Sequence, residues 1–215
     1  MDVLVCFQHN FVMACGVMLK SLLDHCTIPL HLHAIIDPDV TEEDISKIKR
    51  VDRGYGERWF AHFYRFDDNI IRMLPQSKNK RFDRSVYFRL FAVSILPSNI
   101  DKVLYLDCDT LIVDDISPLF EIKLTGGIGA VLNQSQREEY FKRLQLPMEQ
   151  GYFNSGVLLL NLKWWRLNDI ETKFLRIIDE NNILLKNPDQ DILNIVFAQT
   201  RLLLPLRYNL QSTFF

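Results

Sequence analysis

Apolar residues return along the chain in two rhythms. Asp2 to Phe7 is a short Val-rich run, suited to a strand buried on both faces. Phe11, Ala14, Cys15, Met18, Leu19 and Leu22 then recur at helical spacing, with Asn10 placed to cap that helix. Pro29 ends the segment, and Leu30 to Ile36 reads as a second strand. Thr41-Glu42-Glu43-Asp44 opens another helix, its acidic residues set at the positive end of the helix dipole. Trp59 to Phe66 reads as a third strand. Strands separated by helices of this length predict a parallel sheet, because parallel neighbours need a crossover connection.

The stretch from Asp67 to Asp83 is polar, contains Pro75, Lys78, Lys80 and Arg81, and reads as a loop. Arg84 to Leu96 resumes helical spacing. Lys102 to Leu106 is the next buried strand and runs directly into Asp107-Cys108-Asp109. Gly129–Leu132 and Val157–Leu162 supply two more apolar runs, and helical patterns cover Asn168–Glu180 and Asp189–Ala198. No internal repeat, low-complexity tract or glycine-rich linker divides the chain. The expectation is one α/β domain over residues 1–215, a mostly parallel twisted sheet flanked by helices.

Composition narrows the function classes. Against 25 basic residues stand 27 acidic ones, a formal charge of −2 that attracts neither a phosphate backbone nor an anionic lipid surface. General nucleic-acid binding is therefore not expected. No apolar run approaches the ~20 residues that span a bilayer. The start, Met1-Asp2-Val3-Leu4-Val5, lacks a basic region followed by a long apolar stretch, so a cytoplasmic location is expected. Cys6, Cys15, Cys26 and Cys108 form no CxxC pair, and Cys6 and Cys15 read as small buried hydrophobes. All five histidines lie at or before residue 62.

Two common phosphate cradles are absent. Phe7-Gln8-His9-Asn10 fills the turn where GxGxxG would stand, and GxxxxGK[ST] occurs nowhere. Gly126-Gly127-Ile128-Gly129 leads into a strand and reads as a turn. Three segments carry chemistry. Asp107 and Asp109, at i and i+2 of an extended segment, can turn two hard carboxylates toward one Mg²⁺ or Mn²⁺; a solvated turn is the plainer alternative. Gly151-Tyr152-Phe153-Asn154-Ser155-Gly156 offers an amide and a hydroxyl between glycines, which suits sugar hydroxyls or a tight turn before a strand. Trp164 and Trp165 follow as packing residues at a helix start. In Asn187-Pro188-Asp189-Gln190-Asp191, Pro188 and the acids can open a helix, or Asp189 and Gln190 can face a reacting sugar there.

Taken together, these segments resemble the family 8 retaining glycosyltransferases, which include bacterial lipopolysaccharide galactosyl- and glucosyltransferases and relatives of glycogenin. The likeness runs from Met1–Val5 and Gly16–Leu23 through Tyr87-Phe88-Arg89-Leu90 and Asp101–Asp109. It continues through Tyr152–Val157 and Asp189–Asn194 to Arg207-Tyr208-Asn209-Leu210. The resemblance implies a GT-A fold that binds a UDP-sugar donor with Mn²⁺ (or Mg²⁺). Asp107 and Asp109 would hold the metal. Cys6, Gln8, Asn10, Phe11, Arg89, Asp107 and Cys108 would form the nucleotide site. Arg89, Asn133 and Asn154 would contact the donor sugar, and Asp189, Gln190 and Asp191 would stand nearest the anomeric carbon.

Two positions depart from the family pattern. Gln8 and His9 occupy places where acidic residues are usual before the matched asparagine. The family's third metal ligand, a histidine in a segment resembling HxxGxxKPW, has no counterpart before Phe215. The expectation is thus a catalytic domain lacking its C-terminal segment, with impaired transfer and with membrane contact left to that segment. The expected reaction is retaining transfer of a hexosyl group to a saccharide or glycolipid acceptor of surface polysaccharide, at the inner face of the membrane. The metal would serve as Lewis acid on the diphosphate. Front-face attack through a short-lived ion pair is preferred, because Gln190 is a poor nucleophile; Asp191 as covalent nucleophile is the rival. A degenerate binding domain without efficient catalysis is the alternative function. Haloacid-dehalogenase-like phosphatases also place DxD after a buried strand, but normally after the first one.

Overall fold

Alternate residues of β1, Asp2–Phe7, divide between two cores. Val3, Val5 and Phe7 join an apolar cluster with Cys15, Met18 and Leu22 of α1, Val12–His25, whereas Leu4 joins a second cluster on the opposite face. A strand buried on both faces must be nearly all apolar, which is how this run reads. The computed structural model describes residues 1–52, 54–75, 83–180 and 184–211.

The same logic orders the rest. After β2, Leu30–Ile36, come α2, Glu42–Lys49, β3, Trp59–Arg65, and α3, Asp68–Met73. Thr41 caps α2 through a reciprocal box with Asp44, as its sequence predicts. Next follow α4, Ala92–Ile95, β4, Lys102–Leu106, α5, Ser117–Glu121, β5, Ile128–Leu132, and α6, Glu138–Leu144. The chain continues with β6, Phe153–Asn161, α7, Leu162–Leu167, α8, Ile170–Glu180, α9, Pro188–Phe197, and β7, Arg201–Leu203. The strands form one sheet in the order β3-β2-β1-β4-β6-β5-β7. All pairs are parallel except those of β6, which runs antiparallel to both β4 and β5. The expected mostly parallel α/β sheet is what forms.

Several local expectations change. Asn10 caps nothing: residues His9–Phe11 form a 3₁₀ turn closed by Phe11 N–H on Gln8 O at 2.9 Å, and α1 starts without a side-chain cap. Arg84–Leu96 is not one α-helix but a 3₁₀ segment, Arg84–Phe91, running into α4. Five consecutive residues there, Tyr87 to Phe91, are buried, so the segment is enclosed on all sides and a helical stripe is no guide to its winding. The expected loop at 67–83 contains α3, capped by Asp67, whose carboxylate accepts from Asn69 N–H at 2.7 Å. Lys78, Lys80 and Arg81 lie outside the described residues. β6 begins at Phe153, four residues before the expected run, so Asn154-Ser155-Gly156 belongs to the strand and not to a turn before it. Cys15 is fully buried as expected, while Cys6 is only partly so.

Gly126 and Gly127 do turn the chain before β5, and Gly127 does more. A Cβ there would stand 2.4 Å from the Phe197 ring and 2.6 Å from Trp164. Trp165 is buried against Phe174 and Phe197 and donates its indole N–H to Gly127 O at 2.8 Å, so both tryptophans are packing residues.

Candidate active site

The strand order runs outward in opposite directions from β1 and β4, which lie side by side and parallel. Such a switch point opens a crevice beyond the carboxyl ends of the two strands, where open α/β sheets bind their ligands. Cys6, Gln8, Asn10 and Phe11 stand at that end of β1, and Asp107-Cys108-Asp109 at that end of β4. The Cys108 thiol reaches Cys6 O at 3.5 Å and joins the two ends. Cys108 is buried; the neighbouring Cys15 thiol and burial push its thiol up, and burial pushes the Cys6 thiol up.

The acidic pair is not extended, contrary to expectation. The strand stops at Leu106, and a turn closed by Thr110 N–H on Asp107 O at 3.1 Å carries both residues. Cys108 points inward and Asp109 is exposed, while the Asp107 side chain keeps a third of its surface. Asp107 is tethered from below: the Tyr105 hydroxyl donates to its Oδ1 at 2.6 Å.

Arg89 binds this turn to the first turn of α9. Its Nη1 lies 3.0 Å from Asp107 Oδ1 and 3.2 Å from Asp189 Oδ2, and it donates to Ser155 O at 3.0 Å. The guanidinium also lies over the Tyr105 ring, 4.3 Å from its centroid. Burial works against its charge, but the carboxylates of Asp107 and Asp189 outweigh that and hold it firmly protonated. Burial pushes the Asp189 carboxyl up, with the Arg89 guanidinium opposing.

β6 supplies the floor. Ser155 donates its N–H to Gln190 Oε1 at 3.0 Å and its hydroxyl to Asp189 Oδ2 at 2.9 Å, which fixes both residues at the helix start. Asn194, one turn on, pairs through its side chain with the N–H and C=O of Phe153 at 2.8 and 2.9 Å, clamping α9 to the strand. Asn154 Oδ1 accepts from Gly156 N–H and from Asn209, each at 2.8 Å, and its amide lies 3.5 Å from Asn133 Oδ1. A Cβ on Gly156 would stand 3.1 Å from Asp107 Oδ2. Asn133, Asn154, Arg89, Asp107, Asp189 and Gln190 therefore gather around one crevice.

Asp191 points elsewhere. It is wholly buried, held by the Arg143 fork, the Tyr152 hydroxyl and two backbone N–H groups. The sequence offers the Ser155 hydroxyl only as part of its Asn-Ser-Gly motif and gives Tyr105 and Asn209 no site role. Ser155 carried a signal, sitting between two residues of the Asn-Ser-Gly motif; Tyr105 gave none, because a strand tyrosine reads as core.

Mn²⁺ or Mg²⁺ asks for hard oxygen ligands, and the Asp107 and Asp109 carboxylates are of that type. Among the described residues no three His, Cys, Asp or Glu side chains gather into a metal-binding group. The donor chemistry fits the cation; the pair alone does not fill its shell. Among the described residues, no helix is long and apolar enough to cross a membrane.

The carboxyl ends of β1 and β4 thus gather carboxylates, amides and one guanidinium, groups that can bind hydroxyls and a cation. The chain belongs to glycosyl transferase family 8, whose family model matches residues 2–215. It is 31% identical over 206 residues to a lipopolysaccharide 1,2-glucosyltransferase of Escherichia coli K12, covering 93% of this chain and 59% of that protein. A lipopolysaccharide 1,3-galactosyltransferase of Salmonella typhimurium is 28% identical over 210 residues, covering 94% and 61%. The chain thus spans about three-fifths of the length of these relatives. The galactosyltransferase LgtC, solved with donor and acceptor sugar analogues, superposes with a TM-score of 0.89 at 27% identity, over 99% of this chain and 76% of that one. The GT-A fold expected from the resemblance is the fold observed.

Proposed function

We propose that the protein transfers a hexosyl group from a UDP-sugar to a saccharide or glycolipid acceptor of the lipopolysaccharide type, with retention at the anomeric carbon. The observation that supports it most is the single guanidinium of Arg89 joining Asp107 to Asp189, because it links a diphosphate-side turn to a sugar-side helix start. Residues 1–215 act as one catalytic domain in this reading. Four free thiols fit a reducing, cytoplasmic compartment.

Each residue has a role in this reading. The ends of β1 and β4, from Cys6 to Phe11 and at Cys108, receive the uridine. Asn133 and Asn154 hold sugar hydroxyls. Arg89 meets the sugar-nucleotide and stabilises charge that develops on the leaving diphosphate. Asp107 and Asp109 would hold Mn²⁺ or Mg²⁺, which when bound supplies Lewis-acid stabilisation of the diphosphate. Gln190, its amide fixed by Ser155, faces the anomeric carbon without offering a nucleophile. Asp189 is engaged by Arg89 and Ser155, and Asp191 by Arg143 and Tyr152, so front-face attack is favoured over a covalent adduct.

Thermal-shift measurements with UDP-glucose, UDP-galactose and UDP-GlcNAc, each with and without Mn²⁺, test the donor class, followed by product analysis with oligosaccharide acceptors. One UDP-sugar should stabilise the chain more with Mn²⁺ than without, and yield an α-linked product from an α-linked donor. No stabilisation by any nucleotide sugar would overturn the reading. Binding without transfer would instead favour a donor-binding domain, a second reading supported by the two-carboxylate donor set. A glycosyl adduct trapped on Asp191 would reverse the mechanistic preference.

A further inference from the structure

Arg143 lies on α6, on none of the elements that line the crevice, yet it is joined to the chain that carries Gln190. Its Nη1 meets Asp191 Oδ2 at 2.6 Å, and its Nη2 meets Oδ1 at 3.0 Å. Nη1 also donates to Leu184 O at 2.7 Å. This is the bidentate fork that a guanidinium makes and an ammonium cannot.

Asp191 turns that fork into geometry. Its Oδ1 accepts the Tyr152 hydroxyl at 2.7 Å, and its Oδ2 accepts the N–H groups of Lys186 and Asn187 at 2.8 and 3.0 Å. The carboxylate reaches back from inside the first turn of α9 and grips the backbone entering the helix. Asp189 and Gln190 lie within that grip, between Asn187 and Asp191, and Ser155 donates to both. Asp191 shows no exposed surface, and the Arg143 side chain shows one tenth of its own. Burial works against the Arg143 charge, and Asp191 overrides it.

We propose that Arg143 is a positioning residue for glycosyl transfer. By neutralising Asp191 it fixes the entry to α9, and with it the aim of the Gln190 amide and of Asp189. It also keeps the Asp191 carboxylate out of the crevice. The proposal rests on the glycosyltransferase reading of the site, because Gln190 matters only if a sugar reacts beside it. A remote contact of this kind acts through geometry, where a shift of about 1 Å can cost about 10²-fold in rate.

The test compares Arg143→Met, Arg143→Lys, Asp191→Asn and the double variant Arg143→Met/Asp191→Asn. Arg143→Met should lower kcat about 10²-fold while the donor KM stays within about threefold, since the donor contacts are intact. Arg143→Lys should fall between it and the parent chain. The double variant should lose no more than Arg143→Met alone, because the two residues act as one unit. A folded Arg143→Met chain with the kcat of the parent overturns the proposal, as does a loss confined to KM. Hydrogen exchange at residues 186–190 supplies a readout independent of turnover. It should quicken in Arg143→Met while β1 and β4 exchange as before, and unchanged exchange at 186–190 overturns the proposal even if the parent chain transfers no sugar. Inactivity of the parent toward every UDP-sugar would remove the functional reading and leave the exchange result to decide.

Discussion

Of the three D-x-D triplets in the chain, the one after β4 and the one at the start of α9 have opposite surroundings. Asp107-Cys108-Asp109 buries its middle residue and leaves Asp109 exposed, while Asp107 is partly exposed and holds Arg89 and Tyr105 on its Oδ1. Asp189-Gln190-Asp191 is buried throughout, and both of its acids are occupied by guanidinium groups, Asp189 by Arg89 and Asp191 by Arg143. The same pattern therefore serves two purposes. Two carboxylates at an open turn are the type of donor that would hold a divalent cation in the proposed reading. Two carboxylates in a core cost several kcal/mol each unless paired, and once paired they act as fixed struts. The difference lies in what stands behind each triplet, and Arg89 touches both.

The sharpest way to break the comparison is to remove that shared guanidinium. Arg89→Met leaves Asp189 buried without its counter-charge, which should cost about 3–5 kcal/mol of stability. In the proposed reading it also removes a charge that would stabilise the leaving diphosphate, a loss of about 10³-fold in kcat. Arg89→Lys should be far milder. Asp107, Asp189 and the Ser155 carbonyl all meet the same atom, Nη1, so one ammonium at that point could serve all three. Urea denaturation and initial rates on the three proteins measure both effects. Equal damage from lysine and methionine would show that the planar fork, and not the charge at that point, is what the site uses.

A second experiment separates the triplets by readout. Asp109→Asn should remove most of the stabilisation that Mn²⁺ adds to a UDP-sugar complex, while the melting temperature of the unliganded chain stays within about 2 °C, as for an exposed substitution. Asp191→Asn should do the reverse. Breaking its buried pair should cost about 3 kcal/mol, which for a chain of this size is a fall of about 6–12 °C. Melting curves with and without ligand decide it. If Asp109→Asn destabilised the unliganded chain as much as Asp191→Asn, the outer triplet would be structural as well.

The sequence made one triplet more legible than the other. Val103-Leu104-Tyr105-Leu106 announces a buried strand, so the acids after it stand out by contrast. Pro188 and Asp189 announce a helix start, and α9 does begin at Pro188. The partners, however, are not local. Arg143 is 48 residues from Asp191, and no periodicity connects them. The three-residue β7 is half exposed and too short to alternate. The onset of β6 is masked because Asn154-Ser155-Gly156, just after its first residue Phe153, are polar and small and read as a turn. Arg84–Phe91 repeats its apolar residues closely enough for a helix, but enclosure on every side erases the stripe that would separate α from 3₁₀ winding. Layers, strand positions and the main acidic motifs were readable; the side-chain network behind them was not.

Two glycines give the finest version of the contrast. A Cβ on Gly156 would stand 3.0 Å from Asn154 Oδ1 and 3.1 Å from Asp107 Oδ2, a gap that closes with a shift of a few tenths of an ångström. Both neighbours are fixed by other partners, Asn154 by Asn209 and Asp107 by Tyr105 and Arg89, so the shift should be felt in the crevice. Gly156→Ala should therefore lower kcat/KM about tenfold, about 1.4 kcal/mol in binding the transition state, with unfolding stability nearly unchanged. Gly127→Ala is the counterpart in the core. Its Cβ would collide with the Phe197 and Trp164 rings, and overpacking should cost about 1–3 kcal/mol of stability. The crevice is formed by other residues, so kcat/KM per folded molecule should stay within about twofold of the parent. Measuring both variants by denaturation and by rate gives two crossed outcomes, and a Gly156→Ala chain that lost stability but kept its rate would place the asparagine–aspartate contact in the scaffold.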